Sequence, residues 1–376
     1  MGAGSFGAWC AWHLCHAGKA VLLVDAWGPG HSRASSGGET RIIRMGYGAD
    51  SIYTRMAARS LEWWQRLFQA AGDPLFHRTG VLWMAREDDA YSAATQQTLK
   101  ENGIPITILP PAELVRRYRQ MRITDPKVYG IFEPESGAIL ARRAVAAVVQ
   151  DGIRSGMTYA VDHIAAPTGR GQVASIRTAS GEEIRAAHFV FACGPWLPKL
   201  FPDILGNRIY PTRQEVFFFA PPAGDLRFTA PAWPAWIDFA DPRGPYGIPD
   251  LEGRGFKLAL DRHGPDFDPD TGDRRATAEG LGEARRFLAE RFPALADAPL
   301  TETRVCQYEN TSNGDFLIDR HPDFDNVWLV GGGSGHGFKH GPAVGEYLTG
   351  RITRDAPSEP RFALETKATA QQRAVY

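Results

Sequence analysis

The alternation of apolar and polar residues fixes an element type in several stretches of the chain. After Gly7, the run Ala8-Trp-Cys-Ala-Trp-His-Leu-Cys-His-Ala17 joins good helix formers with apolar spacing on one face. Gly18 follows where a left-handed residue would end that helix. Ala20-Val-Leu-Leu-Val24 is a short, partly β-branched run ending at Asp25, which predicts a buried parallel strand. The same kinds of element return twice. Ala141-Arg-Arg-Ala-Val-Ala-Ala-Val-Val149 predicts a helix, and His188-Phe-Val-Phe-Ala-Cys-Gly194-Pro-Trp196 an apolar strand ending in a tight glycine turn. Asn326-Val-Trp-Leu-Val330 predicts a strand, followed by a glycine loop and a helix at Ala343-Val-Gly-Glu-Tyr-Leu348. Between these returns the pattern changes. Glu215-Val-Phe-Phe-Phe219 and Phe256-Lys-Leu-Ala-Leu260 suit antiparallel strands, Glu283-Ala-Arg-Arg-Phe-Leu-Ala-Glu290 reads as a charged helix, and 76–135 holds mixed short elements.

This order predicts an α/β fold in two parts. A discontinuous α/β domain takes 1–75, 136–210 and 300–360, and an α+β domain on an antiparallel sheet is inserted as 76–135 and 211–299. Residues 361–376 are polar and are expected to form a loosely held tail.

The opening turn Gly2-Ala-Gly4-Ser-Phe-Gly7 gives the first domain its chemistry. The first glycine allows the tight turn, the second lets the backbone approach a pyrophosphate, and the third lets helix and strand pack closely. The helix N-terminus then faces the phosphates, and Asp25, roughly twenty residues on, stands where a carboxylate accepts ribose hydroxyls. Such a turn normally follows a strand, whereas here Met1 directly precedes Gly2. The expectation is a first strand missing from this chain, with the recorded start internal to a longer reading frame.

Composition narrows the function. The 376 residues are those of an ordinary globule, and a net charge of −1 gives no bulk attraction to nucleic acid or to an anionic membrane. No run of about twenty apolar residues appears that would span a bilayer. The four cysteines (Cys10, Cys15, Cys193 and Cys306) show no paired spacing, which argues against structural zinc and a disulfide scaffold and makes a cytoplasmic setting the expectation; no metal site is expected.

Seven segments, in this order and spacing, carry a family resemblance. They are the glycine turn, Thr40-Arg41-Ile-Ile-Arg44, Ala192-Cys-Gly-Pro-Trp196, Tyr246-Gly-Ile-Pro249, Phe256-Lys257-Leu, Cys306-Gln-Tyr308 and Ser334-Gly-His-Gly-Phe-Lys339. Across nearly its full length the chain resembles the monomeric sarcosine oxidase and N-methyl amino acid oxidase family, within the D-amino acid oxidase-like flavoproteins. The resemblance implies a Rossmann-type FAD-binding domain and an oxidase of a secondary or N-methyl amino acid, with dioxygen as electron acceptor and hydrogen peroxide as product. It also implies a monomer or small homo-oligomer. A flavin dehydrogenase, an oxidase of primary or cyclic amino acids, and a flavin-binding protein without turnover stand as alternatives.

Several residues have both a plain and a chemical reading. Cys306 is an inert buried thiol on its own, and the thioether link to FAD on the resemblance. Arg304 is two residues away on the same strand face and is a candidate for favouring its thiolate. Arg41 and Arg44, three apart, would share a face if helical, either as a solvated basic face or as a pair converging on a carboxylate. The resemblance assigns Arg44 and Lys339 to the substrate carboxylate and Arg41 to the electrostatics beside the flavin. Lys257 in an apolar strand is either turned outward or buried for use, and the resemblance places it over the flavin as the residue that activates oxygen. Tyr246 and Tyr308 are core aromatics or walls of the substrate cavity. Thr40, Gly333, Ser334, Gly335 and Gly337 are implied as flavin contacts, the last four lining its ring. Two positions depart from the family pattern. Asp261 stands where a histidine is usual four residues after the lysine, and Gly37 where one is usual upstream of Thr40. Asp261 either faces solvent or favours a substrate with an added cationic or hydroxyl group.

Overall fold

The computed structural model describes residues 1–370. Its largest layer is an eight-stranded sheet. In spatial order the strands are Leu300–Thr311, Ile209–Phe219, Phe256–Leu260, Pro245–Ile248, Ala235–Asp238, Val81–Arg86, Val128–Glu133 and Thr107–Leu109. All neighbours are antiparallel except Ala235–Asp238 beside Val81–Arg86. Two of the expected strands pair with each other, with Phe218 opposite Lys257 and Phe219 opposite Phe256. Helix Ala278–Arg291 covers one face, where Trp236, Phe256, Phe287 and Phe292 are fully buried together. Strand Leu300–Thr311, expected with the dinucleotide-binding part, instead pairs along Ile209–Phe219 in this sheet, so one of its ends reaches each part of the molecule.

The dinucleotide side is built from shorter pieces. Leu22–Asp25 pairs in parallel with Thr158–Val161. Phe189–Phe191 pairs in parallel with Val327–Gly331, which also takes Leu317–Arg320 antiparallel. Among the described residues no strand lies between Leu22–Asp25 and Phe189–Phe191. Met1 and Gly2 span the gap: Gly2 N–H donates to Val24 O at 2.8 Å, and Ala192 N–H donates to Met1 O at 2.8 Å.

Helix Ser5–His16 starts at Gly4 and stops at Gly18, which has φ +76° and returns its N–H to Cys15 O. It packs against Gly341–Arg354, against Ala141–Arg154 and against the long helix Ser51–Ala71, around Trp9 and Trp64. The contact with Gly341–Arg354 is close because two of its faces are glycine. A Cβ on Gly345 would lie 2.5 Å from Trp9 O, and one on Gly341 would lie 2.4 Å from Ser5 Oγ.

Residues 361–368 are not loose. Phe362 is buried, Arg361 forms an ion pair with Asp315, and the Lys367 Nζ donates to Arg361 O at 2.6 Å. The tail expectation failed here because polar composition hid a buried aromatic and two cations with fixed acceptors; 371–376 lie outside the described residues. No helix among the described residues is long and apolar enough to cross a membrane.

Gly345→Ala should destabilise the protein by about 1–3 kcal/mol, because its Cβ meets rigid backbone. Gly282→Ala, in an open position of the 278–291 helix, should be neutral or stabilising by about 0.5–1 kcal/mol. Thermal unfolding of the two variants beside the parent protein separates these outcomes.

Candidate active site

Two adjoining spaces lie between the dinucleotide side and the large sheet. The first is a cleft of about 380 Å³ bordered by Gly2, Gly4, Asp25, Cys193, Gly333 and Cys306, among others. The second is a cavity of about 90 Å³ bordered by Arg44, Tyr246, Lys257, Asp261 and Lys339. Arg41, Cys306, Tyr308, Gly335 and Phe338 border both.

The glycine turn forms one end of the cleft. A Cβ on Gly2 would lie 2.3 Å from Ala192 O and one on Gly7 would lie 1.8 Å from Gly2 O, so both positions hold the turn closed. Gly4 differs, since its Cβ would meet only Ser36 Oγ at 3.4 Å, and its open side faces the cleft. Asp25 borders the cleft and also holds the turn, its Oδ2 accepting from Ala3 N–H at 2.7 Å and its Oδ1 from Trp27 and Gly28 N–H.

The 331–339 loop forms the opposite wall. Gly333, Gly335 and Gly337 border the cleft. Ser334, expected beside them, does not. Its φ of +44° turns the side chain inward, where Oγ donates to Gly332 O and accepts from Thr311 N–H, and its own N–H goes to Glu309 O. It fixes the loop from behind. Thr40 is likewise behind the site: its carbonyl accepts from Lys257 Nζ at 2.9 Å and from Arg41 Nη1 at 2.8 Å.

Arg41 and Arg44 do not share a helix. Arg41–Ile43 is a strand paired with Gly137–Ile139 and Arg44 follows it, yet both guanidiniums border the smaller cavity. Arg41 Nη2 lies 3.4 Å from Cys306 Sγ and donates to Ser35 O at 2.7 Å. The cation beside the thiol is therefore Arg41. Arg304, the candidate for that part, is paired with Glu39 and Glu302. Arg44 is buried, with its Cζ 4.5 Å from the Tyr47 ring centroid and 4.9 Å from that of Trp83, and it donates to Gly46 O.

The lysines are buried as well. Lys257 is 2 % exposed. Burial, and then the Arg41 charge, bring its ammonium down to about 7. The outward-facing reading of Lys257 is excluded by this position. Lys339 Nζ donates to Tyr47 OH at 2.7 Å and to His336 O at 3.1 Å. Burial, then Arg44, hold it well below the ordinary lysine range. Asp261 borders the same cavity and accepts from Tyr308 OH at 2.9 Å. Burial raises its carboxyl, opposed by that hydrogen bond and by the charges on Arg44, His263 and Lys339. The Tyr246 phenol is pushed up to about 12 by burial and by Asp261. Among the described residues no group of three or more histidine, cysteine or acidic side chains is placed to hold a metal ion.

Two carboxylates here escaped the sequence reading. Glu133 is buried at the end of an apolar strand and accepts from Met45 N–H, Gly46 N–H, Trp83 Nε1 and Ser136 Oγ, which fixes the turn that carries Arg44. Glu309 is 9 % exposed and borders the cleft, and its Oε2 accepts no hydrogen bond. Burial lifts it to about 7, against the Gly333 and Gly332 amides. A polar residue in an otherwise apolar strand was the available signal for Glu133, whereas Glu309 lies in the largely polar strand Leu300–Thr311, whose own pattern does not single it out.

Comparison with known proteins gives this geometry a family. The model of the FAD-dependent oxidoreductase (DAO) family matches residues 1–351. The chain belongs to that family. It is 34% identical over 365 residues to a monomeric sarcosine oxidase of Bacillus sp. (strain B-0618), covering 93% of this chain and 90% of the relative. It is 28% identical to an N-methyl-L-tryptophan oxidase of Citrobacter koseri, covering 92% and 91%. Its fold is that of L-proline dehydrogenase from P. horikoshii, with a TM-score of 0.84 and 21% identity over 96% of this chain and 95% of that one.

The cleft fits the cofactor of the DAO family. It pairs a glycine turn at a helix N-terminus with an acidic residue at the strand end, and Glu309 Oε2 offers a buried acceptor for a hydroxyl or N–H of a bound group. Gly4→Val should yield folded protein with little flavin, because its side chain enters the cleft. Gly7→Val should fail to fold, because its side chain meets the Gly2 carbonyl. Flavin absorbance per protein and thermal unfolding, measured together, check both.

Proposed function

We propose that the protein is an FAD-dependent oxidase of secondary, N-methyl amino acids of the sarcosine type, forming an imine and hydrogen peroxide. The observation that carries this reading is the junction of the two spaces. A cleft suited to a dinucleotide meets a small cation-lined cavity at Arg41, Cys306, Tyr308 and Gly335. The names of the relatives, a sarcosine oxidase and an N-methyl-L-tryptophan oxidase, agree with a small amino acid in that cavity.

In this reading Arg44 and Lys339 take the substrate carboxylate. Arg44 is held between two rings and Lys339 by Tyr47, so neither has to be ordered on binding. Tyr246 and Tyr308 flank the amine. Gly2, Gly4, Asp25, Gly333, Gly335 and Gly337 hold FAD, with Thr40 and Ser334 supporting the walls. Bound FAD would supply the redox chemistry, taking a hydride equivalent from the neutral amine and passing two electrons to dioxygen. Lys257 places a positive charge where oxygen becomes negative. Cys306 tethers the flavin through a thioether, with the Arg41 guanidinium 3.4 Å from its sulfur. We assign 1–75, 136–210 and 312–360 to the cofactor side and the eight-stranded sheet to the substrate side, and we place the enzyme in the cytoplasm.

Acid precipitation tests the tether. The yellow colour should stay with the precipitate of the parent protein and pass to the supernatant for Cys306→Ser. Colour in the parent supernatant would refute the thioether. Anaerobic addition of sarcosine or another N-methyl amino acid should bleach the flavin. No bleaching by any N-methyl amino acid would refute the substrate assignment.

Lys257→Met should slow reoxidation of reduced enzyme by oxygen by about 10²–10³-fold while leaving anaerobic reduction nearly unchanged. The sign of the pH effect follows from the lysine. Its charged form predominates below about 7 and is lost above it. Reoxidation in the parent protein should therefore slow as pH rises through that value, and Lys257→Met should be slow and flat, both read by stopped-flow absorbance.

A further inference from the structure

The oxidation proposed above needs the nitrogen lone pair of the substrate, and this inference rests on that reading. A secondary amino acid arrives at neutral pH as a zwitterion, with a carboxylate and a protonated nitrogen. Its extra proton has to leave before a hydride can. Among the described residues bordering the cavity, Asp261 is the only carboxylate.

Its position is set by its surroundings. Asp261 follows strand Phe256–Leu260, and its N–H donates to Gly244 O at 2.6 Å. Gly244 has φ +62°, and a Cβ there would lie 3.1 Å from Asp261 O, so the two backbones are closely apposed. Tyr308 OH donates to Oδ1, which leaves Oδ2 as the oxygen available to a ligand. The charged and titratable groups facing it are Arg44, His263, Lys339, Tyr308 and Tyr246. Arg44 supplies a positive charge with the Lys339 amine close by, and Asp261 supplies the carboxyl group. That arrangement complements a dipolar amino acid, with its carboxylate on the cations and its ammonium on the aspartate.

The other basic groups bordering the cavity each hold a hydrogen bond to the protein. Lys257 Nζ is bonded to Thr40 O, Lys339 Nζ to Tyr47 and His336, and His336 Nε2 is paired with Gly314 O. We propose that Asp261 is the proton acceptor of the reaction: the substrate ammonium lies against its Oδ2 and passes its proton there, leaving the neutral amine to be oxidised. In this step one N–H bond breaks and one O–H bond forms, and no electrons leave the substrate. Bound FAD would then supply the acceptor for the hydride equivalent, and Asp261 returns its proton to water once the imine has left.

The test is the pH dependence of flavin bleaching when anaerobic holoenzyme is mixed with sarcosine. The parent protein should give a rate nearly level through the neutral range. Asp261→Asn keeps the shape and the Tyr308 contact but cannot take a proton. Its rate should be about 10²–10⁴-fold lower at neutral pH and rise about tenfold per pH unit toward the amine's own pKa. Asp261→Glu should keep the level profile. Binding of propionate, which has no amine, should change less than threefold in Asp261→Asn, showing that the cation pair is intact. An Asp261→Asn profile matching the parent's, or an Asp261→Glu profile matching that of Asp261→Asn, overturns proton transfer while leaving the substrate assignment in place. A parent protein that no N-methyl amino acid bleaches removes both.

Discussion

Drawing four cations toward one small cavity is the constraint around which this site is arranged. Arg41, Arg44, Lys257 and Lys339 all border a space of about 90 Å³, and three of them are almost wholly buried. Each would lose hydration on folding, a cost that a protein meets with fixed dipoles and opposite charge. Here the compensation comes mainly from carbonyl oxygens: Thr40 O for Arg41 and Lys257, Ser35 O for Arg41, Gly46 O for Arg44, and His336 O for Lys339. Those carbonyls belong to turns, and the turns are themselves tied down. Glu133 holds the 45–46 backbone, and Tyr47 bridges Lys339 to His340. Carbonyl dipoles compensate incompletely, which is why both lysines are pushed toward their neutral forms. An anionic ligand in the cavity would complete what the backbone leaves partial.

The architecture places that charge at a seam. Strand Leu300–Thr311 pairs along its whole length in the large sheet and brings Cys306, Tyr308 and Glu309 to the edge of the cleft. The short strand Arg41–Ile43 enters from the dinucleotide side and delivers Arg41 and Arg44. The site thus depends on register between separate layers. In the 5–16 and 341–354 helices, that register comes from glycine: Gly341 and Gly345 allow a helix-to-helix distance that any side chain would prevent.

The legible part of the fold was the local part. A glycine turn, a helix, a strand and a terminal aspartate are contiguous, and their physics is carried by sequence spacing alone. The strand, glycine loop and helix of 327–354 were readable for the same reason, as were the strands at 215–219 and 256–260, though not that they pair with each other. What was not legible depended on distant pairing. Three residues, Arg41–Ile43, become a strand because Gly137–Ile139 lies alongside them, and nothing in their own pattern says so. The helix Ser51–Ala71 was not singled out, because its buried face includes Thr54 and Ser60, which dilute the apolar signal. Lys257 read ambiguously, since a period of two identifies a strand face but not which face is covered. Ser334 read as a wall residue by its place in the glycine run, and only its positive φ shows that it points away.

Arg41 shows how the two spaces are made to act together. It borders both, touches the Cys306 sulfur, and is among the charges that lower Lys257. Negative charge on a group in the cleft would relieve its repulsion of Lys257 and favour the charged lysine. Charge leaving the cleft would restore that repulsion. A single guanidinium, held by two carbonyls, would thus let charge in the cleft bias the protonation of a lysine whose shift comes first from burial. On the proposed reading, that couples the reduced state of the cofactor to the positive charge needed for oxygen, with no movement of the chain.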